Sequence, residues 1–105
     1  QLTQLFGSMS RRVLKRGEVV WRARYQAELA LVVTQGQLAY TEAPQSEPFK
    51  AGAFLADYLA MKWKMPLDTT LVAKTDAVVY TMEAKEFTRF LDQNPGVLMA
   101  FLKSR

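Results

Sequence analysis

The sequence predicts a mainly β fold with flanking helices. It is an antiparallel roll of the jelly-roll type, with about eight short strands, a short N-terminal helix, one small inserted helix and two C-terminal helices. Three observations carry this. β-Branched runs such as Leu29–Thr34 (LALVVT) and Thr69–Ala73 (TTLVA) are separated by Gly, Pro and Asp turn signals. Phe54–Met61 is apolar yet lacks β-branched residues, which favours a helix among the strands. From Glu83 onward the apolar residues recur at helical spacing.

In chain order, Leu2, Leu5, Phe6 and Met9 share one face of a helix over residues 2–9. Arg11–Arg16 (RRVLKR) is a strand that brings Val13 and Leu14 near the core, and Gly17 turns it. Val19–Trp21 restarts a strand, and residues 22–27 are polar and irregular. Leu29–Thr34 is a buried strand, Gln35-Gly36 reads as a two-residue hairpin turn, and Gln37–Thr41 returns. Glu42–Glu47 is a loop punctuated by Pro44, and Pro48–Lys50 begins a short strand. Phe54–Met61 is the small helix, with Pro66 and Leu67 in the loop after it. Thr69–Ala73 is a strand, Lys74-Thr75-Asp76 turns, and Ala77–Met82 (AVVYTM) pairs back. Glu83–Asp92 is a helix with Phe87, Phe90 and Leu91 on one face. Asn94 caps the last helix, Pro95 opens it, and Val97, Leu98, Phe101 and Leu102 form its stripe.

Composition narrows the functions. The chain has 105 residues, half of them hydrophobic and 23% charged, which suits one domain over residues 1–105 with a real core. With no Cys and no His it lacks thiol chemistry, the commonest metal ligand and the commonest general base. Asp57 and Asp68 have no nucleophile beside them, and Glu42, Glu47 and Asp76 lack metal-ligand spacing, so neither catalytic nor metal residues are expected. The net charge of +4 is concentrated early, at Arg11, Arg12, Lys15, Arg16, Arg22 and Arg24. Alternation along strands makes these a solvated face rather than a nucleic-acid footprint. No run approaches the roughly 18 apolar residues of a membrane span. The start at Gln1 and the end at Lys103-Ser104-Arg105 are read as the ends of a piece cut from a larger protein.

Five short stretches, in order, resemble one family. Lys15-Arg16-Gly17-Glu18-Val19-Val20 is similar to a "kGevi" opening, and Leu31-Val32-Val33 with Gly36 to "lyvv..G". Gly52-Ala53-Phe54 is similar to "G..fGE", and Thr69–Ala73 with Thr75-Asp76 to "atv.a.td". Phe87, Leu91, Asn94 and Pro95 are similar to "F..ll..nP". The chain thus resembles, over nearly its whole length, the cyclic-nucleotide-binding domains of catabolite regulators, protein kinase A regulatory subunits and gated channels.

The resemblance implies a phosphate-binding cassette: a small helix whose N-terminal N–H groups meet a cyclic phosphate, a Glu for the ribose hydroxyl, and an Arg after the Pro loop. The Glu position falls on Asp57 and the preceding Gly on Ala56. The Arg position falls on Leu67, and the small residue after it on Asp68. The family's "eGd" turn falls on Ala23-Arg24-Tyr25. An altered pocket would comprise Phe54, Leu55, Ala56, Asp57, Leu67, Asp68 and Thr69. Lys62 and Lys64 are candidate substitute cations, with Trp63 between them as a base platform; the plain alternative is solvated lysines and a Trp63 that covers the roll.

The expected function is a non-catalytic regulatory or interaction domain of a larger channel, transporter or signalling protein, without cofactor, whose cassette does not bind cyclic AMP or cyclic GMP in the usual way. Its interaction helices would present Phe87, Phe90, Leu91, Val97 and Phe101 to the roll or to a protein partner. The alternative is a working sensor of a cyclic nucleotide or other small anion, as in Popeye-type relatives with altered cassettes. A third reading, a basic face that meets a membrane or nucleic acid, rests on the early arginines alone. The expected location is cytoplasmic, with any membrane contact made through the parent protein.

Overall fold

Side-chain alternation decides what each strand buries. In β1 (Ser10–Leu14) Leu14 points into the interior, so Val13 must point out; it is 58% exposed, not near the core as its apolar character suggested. The computed structural model describes Gly7 and residues 9–103, so the helix expected over 2–9 lies largely outside the described residues. Six further strands follow: β2 (Val19–Trp21), β3 (Leu29–Gln35), β4 (Leu38–Tyr40), β5 (Phe54–Leu55), β6 (Leu71–Ala73) and β7 (Ala77–Glu83). The helices are α1 (Tyr58–Trp63), α2 (Ala84–Gln93) and α3 (Pro95–Lys103).

The strands form two antiparallel sheets, β1-β7-β3-β5 and β2-β6-β4, which face each other as a roll. Between them lies one apolar core, built on Leu14, Leu31, Val33, Leu38, Leu71 and Val79. A second core lies on the far side of the first sheet, where Ala30 and Met82 meet Tyr58, Met61, Phe87 and Leu91 from the helices. β3 is apolar along most of its length because both of its faces are covered, Leu31 and Val33 by one core and Ala30 by the other.

Neither expected hairpin forms. β3 does not pair with β4, nor β6 with β7. Instead β3 pairs with β7 (Val33 opposite Val79) and β4 pairs with β6 (Leu38 opposite Ala73). Residues 29–40 and 71–83 therefore make one long ribbon that bends from the first sheet into the second. Gln35-Gly36 and Lys74-Thr75-Asp76 are its two corners, held together where Lys74 N–H donates to Gln37 O (2.9 Å) and Gln37 N–H to Thr75 Oγ1 (3.1 Å). Gly36 has φ +79°, and a Cβ there would press on Asp76 O and lie 2.7 Å from Ala77 Cα. The glycine is a condition of the ribbon's bend rather than of a local turn.

Three further expectations shift. Phe54-Leu55 pairs with β3 as β5, so the helix starts only at Tyr58. Pro48–Lys50 contributes a single bridge, Leu38 to Phe49, rather than a strand. Leu102 is exposed and stands apart from the stripe of α3. Asn94 does occupy the position before α3: its carbonyl accepts from Val97 and Leu98 N–H. Its side chain, however, serves the preceding helix, with Nδ2 donating to Phe90 O at 2.8 Å.

Candidate functional site

Asp57 stands between β5 and α1, where the chain leaves the sheet for a helix. Four N–H groups at a helix start lack partners inside the helix. The Asp57 carboxylate takes one of them: Oδ1 accepts from Ala60 N–H at 3.0 Å, as an N-cap. A one-turn helix offers a weak dipole, and its cap here is already an anion.

Across from Asp57 runs the segment that leads into β6. Leu67 is only 6% exposed and is fixed through its backbone, with N–H to Tyr25 O (2.8 Å) and its carbonyl accepting from Arg24 N–H (2.7 Å). Arg24 holds a left-handed conformation, φ +76°, at the position where the resemblance places a glycine. Asp68 follows and is exposed. Between the two segments opens a cleft of about 380 Å³.

The structure brings Phe54, Leu55, Ala56, Asp57, Leu67, Asp68 and Thr69 together around this cleft. It does not bring Lys62 or Lys64 there. Lys62 Nζ is paired with Asp92 Oδ2 of α2 at 2.7 Å, and both lysines line a separate hollow between α1 and α2. Trp63 is 69% exposed and outside the cleft lining, so neither expected role, base platform or cover for the roll, is built. Among the described lining residues, the charged side chains are Asp57 and Asp68, without a lysine or arginine.

Three aromatic residues complete the wall. Trp21 and Tyr40 belong to different strands, but both stand opposite Leu71 in the register of the second sheet, on either side of β6, and both line the cleft. Their strands were legible; their meeting was not, because it depends on pairing across long sequence separations. The indole N–H of Trp21 is buried, with no hydrogen-bond partner among the described residues. The third is Phe101, which reaches the cleft from α3. Its ring packs edge-on against Phe54 (centroids 6.0 Å apart) and Phe87 (5.7 Å), and Phe54 lies 5.6 Å from Phe87. Phe87 and Leu91 are buried on the roll, while Phe90, Val97 and Phe101 are half-buried against the same core.

An ion-pair cluster ties α1 to α2. Besides accepting from Lys62, Asp92 accepts through Oδ1 from the Tyr58 hydroxyl at 3.0 Å. The Lys62 ammonium, and then the Tyr58 hydroxyl, hold the Asp92 carboxyl below its ordinary range. The bond to Asp92 raises Lys62, and burial first, then Asp92, raises Tyr58.

A family described as "Cyclic nucleotide-binding domain" matches residues 11–94. Among curated proteins, the cGMP-dependent 3′,5′-cGMP phosphodiesterase A of Dictyostelium discoideum is 32% identical over 104 residues. The match takes in 97% of this chain but only 12% of that protein's length. A structure from a cyclic-GMP-dependent signalling pathway in bacterial phytopathogenesis superposes with a TM-score of 0.77 at 15% identity, covering 97% of this chain and 85% of that one. PKAR CBD2 bound to Sp-2Cl-cAMPS gives 0.74 at 14% identity, over 92% of this chain and 66% of that one. At these identities the two structures establish the fold alone.

Proposed function

The chain belongs to the cyclic nucleotide-binding domain family, and from that premise we propose a non-catalytic regulatory domain of a larger protein whose cleft does not hold cyclic AMP or cyclic GMP in the family's usual way. One observation carries the reading: the charged groups on the described cleft lining are two carboxylates, with no cation to meet a phosphate. An arginine–phosphate pair in a half-buried site is worth about 2 to 3 kcal/mol, so its absence weakens binding roughly 30- to 150-fold. Asp68 beside a phosphate adds repulsion. Residues 1–105 would act as one unit, with α2 and α3 as the coupling elements. Phe101 packs from α3 onto Phe54 of the cleft wall, a contact through which the terminal helices could respond to the cleft. The parent is a signalling protein, a channel or a transporter of the sulfate-permease type, with the domain in the cytosol.

The test is isothermal titration of the domain with cyclic AMP and cyclic GMP, each to millimolar concentration. Silence, or weak millimolar binding, is expected. A micromolar dissociation constant overturns the reading.

A second reading, a working sensor with an altered pocket, is favoured by the 32% identity with a protein named as cGMP-dependent. Under this reading Asp57→Ala abolishes a measurable nucleotide affinity; an affinity unchanged by that substitution rules out Asp57 as the ribose ligand.

A further inference from the structure

Outside the cleft, four large apolar side chains stand in water around one short helix. Tyr25, Leu59, Trp63 and Met65 are 66%, 45%, 69% and 52% exposed. Leu59 and Trp63 are four residues apart on α1 and share its outer face. Met65 follows the left-handed cap at Lys64, its N–H donating to Ala60 O at 2.9 Å. Tyr25 is held alongside by the bridge between Gln26 and Pro66 and by Leu67 N–H on its carbonyl. Single exposed apolar residues are ordinary; a tryptophan with two others on one segment and a tyrosine beside it marks a contact surface.

Beside this face lies a hollow of about 540 Å³ between residues 26–27, α1 and the start of α2. Its floor includes Ala60, Met61 and Ala84, and its charged lining is Lys62, Lys64 and Lys85. No carboxylate lines it among the described residues; Glu28 and Glu83 border the neighbouring shallow cleft instead. Lys62 is committed to Asp92, which leaves Lys64 and Lys85, both exposed, to set the sign of the rim. The exposed Arg22 and Arg24 precede Tyr25 along the chain and extend the same sign.

We propose that this face docks an acidic segment of a partner protein, with a bulky apolar side chain seated in the hollow and glutamates or aspartates against Lys64 and Lys85. Charge decides the class of occupant: an apolar floor under a rim of one sign selects an apolar anchor flanked by the opposite sign. Concavity decides against a lipid surface, since a bilayer reaches Trp63 and Met65 but not the floor at Ala60 and Ala84. The face is separate from the nucleotide cleft, with which it shares no lining residue.

The experiment follows Trp63 emission in a Trp21→Phe background. The probe is a synthetic peptide of glutamates and leucines at helical spacing, compared with a peptide of lysines and leucines in the same pattern. The acidic peptide is expected to shift the emission to shorter wavelength and to bind about tenfold more weakly as salt rises from low to physiological levels. Lys64→Glu with Lys85→Glu, and separately Leu59→Ser, should each weaken it about tenfold or more. Both sets lie at exposed positions, and an unchanged melting curve confirms that each variant is folded. Equal binding of the two peptides, no binding at millimolar peptide, or indifference to the lysine substitutions overturns the proposal. Binding to phosphatidylserine–phosphatidylcholine vesicles with none to the acidic peptide also overturns it and makes the face a membrane contact.

Discussion

Asp57 and Leu67 face the same cleft and have opposite commitments. Asp57 is a helix cap whatever else it does, because Ala60 N–H needs its carboxylate. Asp57→Ala should therefore lower unfolding free energy by about 1 kcal/mol, whereas Asp57→Asn, which keeps an acceptor, should cost only a few tenths. Urea denaturation of the two variants separates the cap from the charge; equal losses would mean that the charge alone matters. Leu67 is committed to the core. A side chain only 6% exposed on a backbone fixed at both ends is core material, and an arginine there must find a phosphate or remain buried unpaired. The double substitution Leu67→Arg with Asp68→Ala should cost about 1 to 3 kcal/mol of stability and tighten cyclic-nucleotide binding at least 30-fold. Titration calorimetry reads the second effect; no gain in affinity would place the defect elsewhere in the cassette.

At the scale of elements, the bent ribbon and the terminal helix each depend on one residue. Gly36 lies against the Asp76–Ala77 backbone in a left-handed conformation, so Gly36→Ala meets both an unfavourable φ and a backbone clash. It should destabilise by about 3 kcal/mol or more, seen as a collapse of the thermal transition. A near-normal melting curve would mean that the corner repacks cheaply. α3 has no fully buried residue, and its Phe101 contacts Phe54 and Phe87. Phe101→Ala should cost about 2 kcal/mol, less than a fully buried phenylalanine, and the loss should be local. Hydrogen exchange is expected to speed up over residues 95–103 while β3 and β7 stay protected; uniform acceleration would show that α3 is integral to global stability.

For the whole molecule, pH is the lever. Asp92, Glu18 and Glu42 all titrate below the ordinary carboxylate range. Lys62 holds Asp92, the Lys15 N–H and then Arg12 hold Glu18, and the Thr70 N–H holds Glu42. Groups lowered in the folded state stabilise it fully above the unfolded carboxylate range, and that support is lost as pH falls through their lowered values. Tyr58 and Lys62 are raised, so their support is lost as pH climbs through the alkaline range. All but the buried Tyr58 titrate at solvent-exposed side chains, so the acid effect is modest and salt-sensitive. The urea midpoint should hold level near neutrality and fall below about pH 4; a flat profile down to pH 3 would remove these bonds from the account. Among the described residues no helix is long and apolar enough to cross a membrane.

Fold class, most strand and helix positions and the family were legible in the residues alone, because alternation, turn chemistry and helical spacing are local signals. The sequence also named Phe54–Asp57 and Leu67–Thr69 as two segments of one pocket, and the structure brings them together around one cleft. It misassigned the pairing at Gln35-Gly36 and Lys74–Asp76, because a glycine turn between two strands has the same local signature whether the chain folds back or bends into another sheet. Which partner each strand takes emerged from the packing of the two sheets. That pairing set Trp21 and Tyr40 beside the cleft, while the packing of the terminal helices gave Lys62 to Asp92 and brought Phe101 onto Phe54. Which surface a side chain serves depends on packing between distant segments, and no local pattern of residues encodes that.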